Sequence, residues 1–228
     1  MNIETRTKER QYEACLEVAE THGRTRLGLM TNQVWHEDPK RLAFVLARYK
    51  FVSRMLAGLG SVLEIGCADA FASRIVQAEV GQLTAIDFDP VFIADAVERM
   101  EPHWTFGVAV HDMLAGPYAG PFDGAYSLDV LEHIDPKDED RFVGNIAASL
   151  KPEGVAIIGM PSLNSQVYAS EQSRIGHINC KQGEDLKGFL QGHFQNVFLF
   201  SMNDEVVHTG FHPMAHYYLA LCCAPRRA

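Results

Sequence analysis

The stretch VLEIGCADAF, Val62–Phe71, runs from an apolar strand into a turn of small residues. Gly66 stands where a dinucleotide-binding turn has its first glycine, but the next two small positions are Ala68 and Ala70. The second glycine of such a turn lets backbone N–H groups approach a pyrophosphate. Alanine weakens that approach, which argues against NAD or FAD. A cofactor with ribose and adenine but no phosphate asks less of the turn. Asp87, at the end of the next strand, is suitably placed to accept hydrogen bonds from two ribose hydroxyls.

Working outward, short apolar runs alternate with helical segments. The strand candidates are SVLEI (61–65), QLTAID (82–87), TFGVAVH (105–111), FDGAYSL (122–128) and GVAIIGM (154–160). Helical stretches lie at about 71–80, 91–100 and 137–150, and KPEG (151–154) reads as a turn. This alternation implies parallel strands with right-handed crossovers, hence a doubly wound α/β sheet.

Upstream, Tyr12, Cys15, Leu16 and Ala19 recur at helical spacing over 4–19. Leu42, Val45, Leu46, Tyr49, Val52 and Leu56 form a second stripe, entered at Asp38-Pro39 and stopped by Gly58 and Gly60. Downstream, NVFLFS (196–201) and MAHYYLALCC (214–223) are strand-like with a short connection, which predicts an antiparallel pair.

The 228 residues, 47% hydrophobic, suit a single domain with one sizeable core. The net charge of −9 and the lack of a basic stripe exclude nucleic acid as a partner; RYKFVSR, the one dense basic run, reads as a solvated helix face. No apolar run reaches membrane-spanning length, and the charged start NIETRTKER has no apolar core behind it. A cytoplasmic location without membrane association is therefore expected. Cys15, Cys67, Cys180, Cys222 and Cys223 contain no C-x-x-C pair and read as reduced thiols.

VLEIGCADAF, LTAIDFDP, HDM, FDGAYSLDVLEHI and LKPEGVAIIGMPS occur in the order and spacing of class I S-adenosylmethionine (SAM)-dependent methyltransferases, which this chain resembles over about 61–161. The family's E-x-G-x-G-x-G stands here as Glu64-Ile-Gly66-Cys-Ala68-Asp-Ala70. The resemblance implies a Rossmann-like doubly wound, mostly parallel seven-stranded sheet with an antiparallel last strand and a helical N-terminal cap. One domain is expected over 1–228: cap 1–60, SAM-binding core 61–161, acceptor loop and C-terminal β-hairpin 162–228.

The resemblance also implies SAM as cofactor and S-adenosylhomocysteine (SAH) as product. Glu64 and Gly66 would flank the methionine moiety, with Cys67 and Ala68 giving backbone contacts. Asp87 would hold the ribose, Phe88 would lie against the adenine, and Asp112 and Met113 would bind its amino edge. Asp129 and Val130 would line the methionine side.

Methyl transfer is an in-line displacement at an activated sulfonium, so alignment and exclusion of water dominate, and a hydroxyl nucleophile also benefits from a base. His133, after the fourth strand, is the candidate base, with ordering of its loop as the alternative role. His177, His208 and His212 are expected to converge on a polar or anionic small-molecule acceptor; no paired carboxylate favours a metal, so none is expected. Trp35 and His36 would close the pocket, and Tyr168 and Asn179 would contact the acceptor from the long loop after the fifth strand.

The reading is a small-molecule O-methyltransferase acting on a sugar-like or phosphorylated hydroxyl compound. An N-methyltransferase and a non-catalytic SAM-binding protein stand as alternatives. Oligomeric state is open, a homodimer being admissible.

Overall fold

The computed structural model describes residues 7–227. The first residues of the helix expected from Glu4, and Ala228 of the expected domain, lie outside them. A 3-10 turn leads into α1 (Glu13–His22), followed by α2 (Leu29–Glu37) and α3 (Lys40–Met55). From there β1 (Ser61–Ile65), α4 (Ser73–Gln77), β2 (Gln82–Asp87), α5 (Pro90–Arg99), β3 (Gly107–Val110), β4 (Phe122–Leu128), α6 (Glu139–Ala148) and β5 (Leu150–Pro161) alternate. The chain ends with α7 (Glu171–Gly176), α8 (Gly183–Gln191), β6 (Phe194–Asn203), β7 (Val206–His208) and β8 (Tyr217–Pro225).

The strands form one eight-stranded sheet in the order β3-β2-β1-β4-β5-β8-β6-β7. β1 to β5 pair in parallel. β8 slots antiparallel between β5 and β6, so the expected antiparallel pair is present. The sheet has one strand more than the seven expected. Val206–His208 turns back on β6 as a three-residue edge strand, a segment too short to show an alternating pattern.

KPEG is a correction as well. It lies inside β5, where the register with β4 jumps from Phe122↔Leu150 to Gly124↔Val155. The turn-forming residues are absorbed as a bulge, which leaves extra residues unpaired while the strand continues.

Alternation along the strands explains the two layers. Leu63, Ala125, Ile158 and Ala220 face Phe142, Val143 and Ile146 of α6 and Leu186 and Leu190 of α8. Their neighbours Val62, Tyr126, Ile157 and Leu219 face Val52 of α3, Leu56 just past its end and Val76 of α4. Buried on both faces, these strands read as continuous apolar runs. Each fully buried Leu or Ile stabilises the fold by about 1.5–3 kcal/mol. At RYKFVSR, Lys50 and Arg54 are exposed as expected of a solvated face, with Tyr49 and Val52 of the apolar stripe buried, but Arg48 is drawn inward.

The five cysteines are free, with Cys67 and Cys222 buried and Cys15 exposed. Among the described residues, no helix is long and apolar enough to cross a membrane.

Candidate active site

The strand order reverses between β1 and β4, and the crevice outside their carboxyl ends is where such sheets hold ligands. The turn after β1 is built on three left-handed residues: Gly66 (φ 76°), Ala68 (φ 45°) and Ala70 (φ 52°). Gly66 and Cys67 both donate to the Ile86 carbonyl, which pins the turn to β2. A Cβ at Gly66 would collide with Cγ2 of Val130, so only glycine fits there. The alanines thus adopt the backbone that the family's glycines would take, at a strain of about 1–2 kcal/mol each.

A cavity of about 130 Å³ opens beside this turn. Gly66, Cys67, Ala68, Asp69, Leu128 and Asp129 line it from the sheet edge; Met30, Thr31 and Val34 of α2 and Tyr49 of α3 close it from the cap. Asp69 docks α2 here. Its carboxylate accepts from Thr31 N (2.7 Å), Thr31 Oγ1 (3.2 Å) and Phe71 N (3.1 Å). Asp95 accepts from Leu29 N at 3.2 Å. Two acids from the core therefore satisfy N–H groups at the start of the roofing helix, which otherwise has no side-chain cap.

Asp87 accepts from Ala68 N (2.8 Å) and Asp89 N (2.9 Å). A carboxylate offers about four acceptor sites, so capacity for ribose hydroxyls remains. Phe88 beside it is 73% exposed, an unburied ring suited to stacking on a base. Asp112 is exposed and closes its own turn onto Leu114 N (2.8 Å), while Met113 is buried with its carbonyl bonded by Asn145. Glu64 is fully buried, with its oxygens held by the hydroxyls of Tyr49 and Tyr126 at 2.7 Å each. Its burial raises its pKa above the ordinary carboxylate value. The turn, the glycine-only contact and the free acceptor capacity of Asp87 fit a phosphate-free adenosine cofactor.

The region where the acceptor is expected holds the 3-10 turn Leu131–His133 after β4 and the loop after β5. His133 bonds the Gly176 carbonyl through Nδ1 (2.8 Å). His177 bonds Gln166 Oε1 through Nδ1 (2.8 Å). The two rings lie edge to face, 5.2 Å between centroids. Burial, then the neighbouring His133, lowers the His177 pKa. Between them, Glu132 is 1% exposed and neither of its oxygens has a hydrogen-bond partner. Burial, reinforced by Asp129, raises its pKa well above the ordinary value.

Next to this cluster a crevice of about 860 Å³ runs between Glu37, Asp38 and Arg41 on one side and residues 168–173 with Ile175 on the other. Tyr168, 87% exposed, lines it. Trp35 and His36 lie on the outer face of α2, and the neighbouring Glu37 and Asp38 reach the crevice. Asn179 is buried, donating to Glu139 (2.6 Å) and accepting from Lys181 (3.2 Å); its backbone N–H holds the Glu132 carbonyl.

His208 and His212 do not join His177. His208 is engaged by Asn203 (2.8 Å) and Gly210 (2.9 Å), and His212 by Glu184 of α8 (2.9 Å). Sequence reasoning missed Glu132, Arg48 and Asp69. All three sit in quoted stretches, Arg48 in RYKFVSR, Asp69 in VLEIGCADAF and Glu132 in FDGAYSLDVLEHI, but none has a local pattern that marks its partner.

Residues 62–154 match a family model described as a methyltransferase domain. The ubiquinone biosynthesis O-methyltransferase of Xanthomonas axonopodis pv. citri (strain 306) is 30% identical over 132 residues, 55% of this chain and 54% of that protein. The ubiquinone biosynthesis O-methyltransferase of Caulobacter vibrioides (strain ATCC 19089 / CIP 103742 / CB 15) is 30% identical over 149 residues, 61% of this chain and 57% of that one. The chain thus spans about half the length of these curated relatives. Among solved structures, the N-methyltransferase NodS from Bradyrhizobium japonicum WM9 in complex with SAH superposes with a TM-score of 0.61 at 21% identity, covering 84% of this chain and 91% of that one. That likeness shows the fold. The matched segment, 62–154, is the part of the chain that carries this likeness to methyltransferases, and the sheet around it shares their fold.

Proposed function

We propose that this chain transfers the methyl group of SAM to a hydroxyl of a polar small molecule that enters through the crevice beside Tyr168. Bound SAM would supply a methyl group on a positively charged sulfur. The residues placed to hold it are those of the Gly66–Ala70 turn, Asp87 with Phe88, and Asp129. The observation that carries the hydroxyl reading is the Nδ1 bond of His133 to the Gly176 carbonyl. A carbonyl only accepts, so the ring proton sits on Nδ1 and the lone pair on Nε2 is left to take a hydroxyl proton.

The two relatives named O-methyltransferases support oxygen as the nucleophile. The lining of the crevice weakens the phosphorylated-acceptor reading. Glu37, Asp38 and Glu171 face a single Arg41, and carboxylates repel a phosphate. A neutral hydroxyl compound fits better, sugar-like molecules included. The same acidic lining favours a second reading, N-methylation of a small amine, and NodS is an N-methyltransferase by name.

Calorimetric titration with SAH and NAD, followed by transfer assays over hydroxylated and amine acceptors, tests the proposal. SAH is expected to bind and NAD to fail. Asp87→Ala should weaken SAH binding at least tenfold, equivalent to about 1.4 kcal/mol. Transfer to amines alone would replace the hydroxyl reading, and SAH binding without transfer to any acceptor would leave a non-catalytic binder.

A further inference from the structure

Glu132, His133 and His177 each offer one ligand atom, and these atoms all lie within 4.8 Å of one another. Donor atoms about 2.1 Å from a shared ion sit roughly 3–4 Å apart, so a side-chain adjustment of under about 1 Å would close the set. Three further observations point to a ligand there. Both oxygens of the buried Glu132 lack a partner, an arrangement normally avoided because an unpaired buried carboxylate is strongly disfavoured. Both imidazoles give their Nδ1 proton to a carbonyl-type oxygen, which leaves the Nε2 lone pair free on each. Metal-bound histidines share this arrangement, with the ring nitrogen away from the ion donating to a neighbouring oxygen. Finally, Arg48 does not settle Glu132: its Nη1 bonds Asp129, and it makes no hydrogen bond to Glu132.

We infer that Glu132, His133 and His177 form a divalent transition-metal site at the acceptor edge of the sheet, with open positions for the acceptor's oxygen. Two imidazoles and one carboxylate suit Mn²⁺, Fe²⁺, Co²⁺ or Zn²⁺ better than Mg²⁺ or Ca²⁺, which prefer oxygen ligands throughout. The use of this ion rests on the hydroxyl-acceptor reading above; the existence of the site does not. The ion lowers the pKa of a hydroxyl it holds. The hydroxyl proton leaves to solvent, the oxygen lone pair forms the C–O bond, and the C–S bond breaks with its electron pair remaining on sulfur. With the ion bound, the His133 lone pair serves as a ligand, and acidity at the acceptor comes from the metal instead of the imidazole.

The test is metal binding by the whole chain after chelator treatment, with Zn²⁺, Co²⁺ and Mn²⁺ as probes and Mg²⁺ as control. Calorimetry should give one site per chain for Zn²⁺ or Co²⁺, and Co²⁺ should develop visible d–d absorption. Glu132→Gln and the part-exposed His177→Gln should each weaken binding at least tenfold and leave SAH affinity within twofold. The absence of a saturable site for all three ions, or wild-type affinity in both variants, would overturn the inference. Full transfer activity in excess chelator would overturn the ion's role in the reaction. Failure to bind SAH would strike the methyltransferase proposal instead, because the metal titration does not depend on it.

Discussion

Nη1 of Arg48 bonds both carboxylate oxygens of Asp129, at 2.7 and 2.8 Å, tying the helical cap to the end of β4. The same guanidinium lies 3.8 Å over the ring of Tyr217, so α3, β4 and β8 meet at one charge. Asp129 holds a left-handed backbone (φ 57°), which asparagine also tolerates. Asp129→Asn therefore tests the charge alone. The Asp129 side chain is 40% exposed and screened by water, whereas Arg48 is only 17% exposed. The expected loss is about 1–3 kcal/mol, mostly from the uncompensated Arg48, read as a lower urea midpoint. An unchanged midpoint would mean that Arg48 finds another acceptor.

Asp69 supplies from the core the cap that α2 lacks in its own sequence. Asp69→Ala should reduce stability by about 1 kcal/mol, the usual loss for an N-cap. It should also speed SAH release and expose the 23–37 segment to protease. Wild-type protection of that segment would show that Asp95 and packing hold α2 unaided.

The left-handed alanines give a stability test of the opposite sign. Ala68→Gly relieves strain of about 1–2 kcal/mol and loses about 0.4–1 kcal/mol through the freer unfolded chain. A small gain in melting temperature is expected. Ala70 is buried, so Ala70→Gly also removes a packed methyl, which offsets about 0.8 kcal/mol and should leave stability near neutral. A loss at position 68 larger than at position 70 would contradict this account.

Glu64 should make stability depend on pH. Its folded pKa is raised by burial above the ordinary value of 4.5. A raised carboxylate pKa means the folded state keeps its proton longer than the unfolded one. The contribution is therefore complete below pH 4.5 and is lost as pH rises through the folded value. Glu64→Gln, which keeps one acceptor for the tyrosines, should flatten the slope of unfolding free energy on the alkaline side of 4.5. An identical slope in the variant would assign that dependence to other groups.

The parts of this molecule that could be read from sequence are those whose environment repeats along the chain. β1, β2 and β4 are buried on both faces, so their apolar runs coincide with the observed strands residue for residue. KPEG was misleading because proline and glycine suit a bulge as well as a turn. Arg48 sits among basic residues, and no neighbour in sequence reveals that Asp129, 81 positions away, draws it inward. Glu132 is one acid in a short helical turn; its isolation arises only when β5 and the following loop close over it. His208 and His212 show the converse, since nearness in sequence did not bring them to His177.

The roof that α2 places over the β1 turn also bears on the timing of catalysis. Met30, Thr31 and Val34 line the chamber at the Gly66 turn, whereas the crevice beside Tyr168 is lined by Glu37, Asp38 and Arg41 at the α2–α3 junction. Two doors of unequal ease impose a queue. Under the proposed transfer the nucleoside would come in first with the helix displaced, the acceptor would exchange afterwards, and the spent nucleoside would leave last. Initial-rate kinetics should then show SAH competing with SAM but not with the acceptor, and a random order of addition would show that the helix is no obstacle.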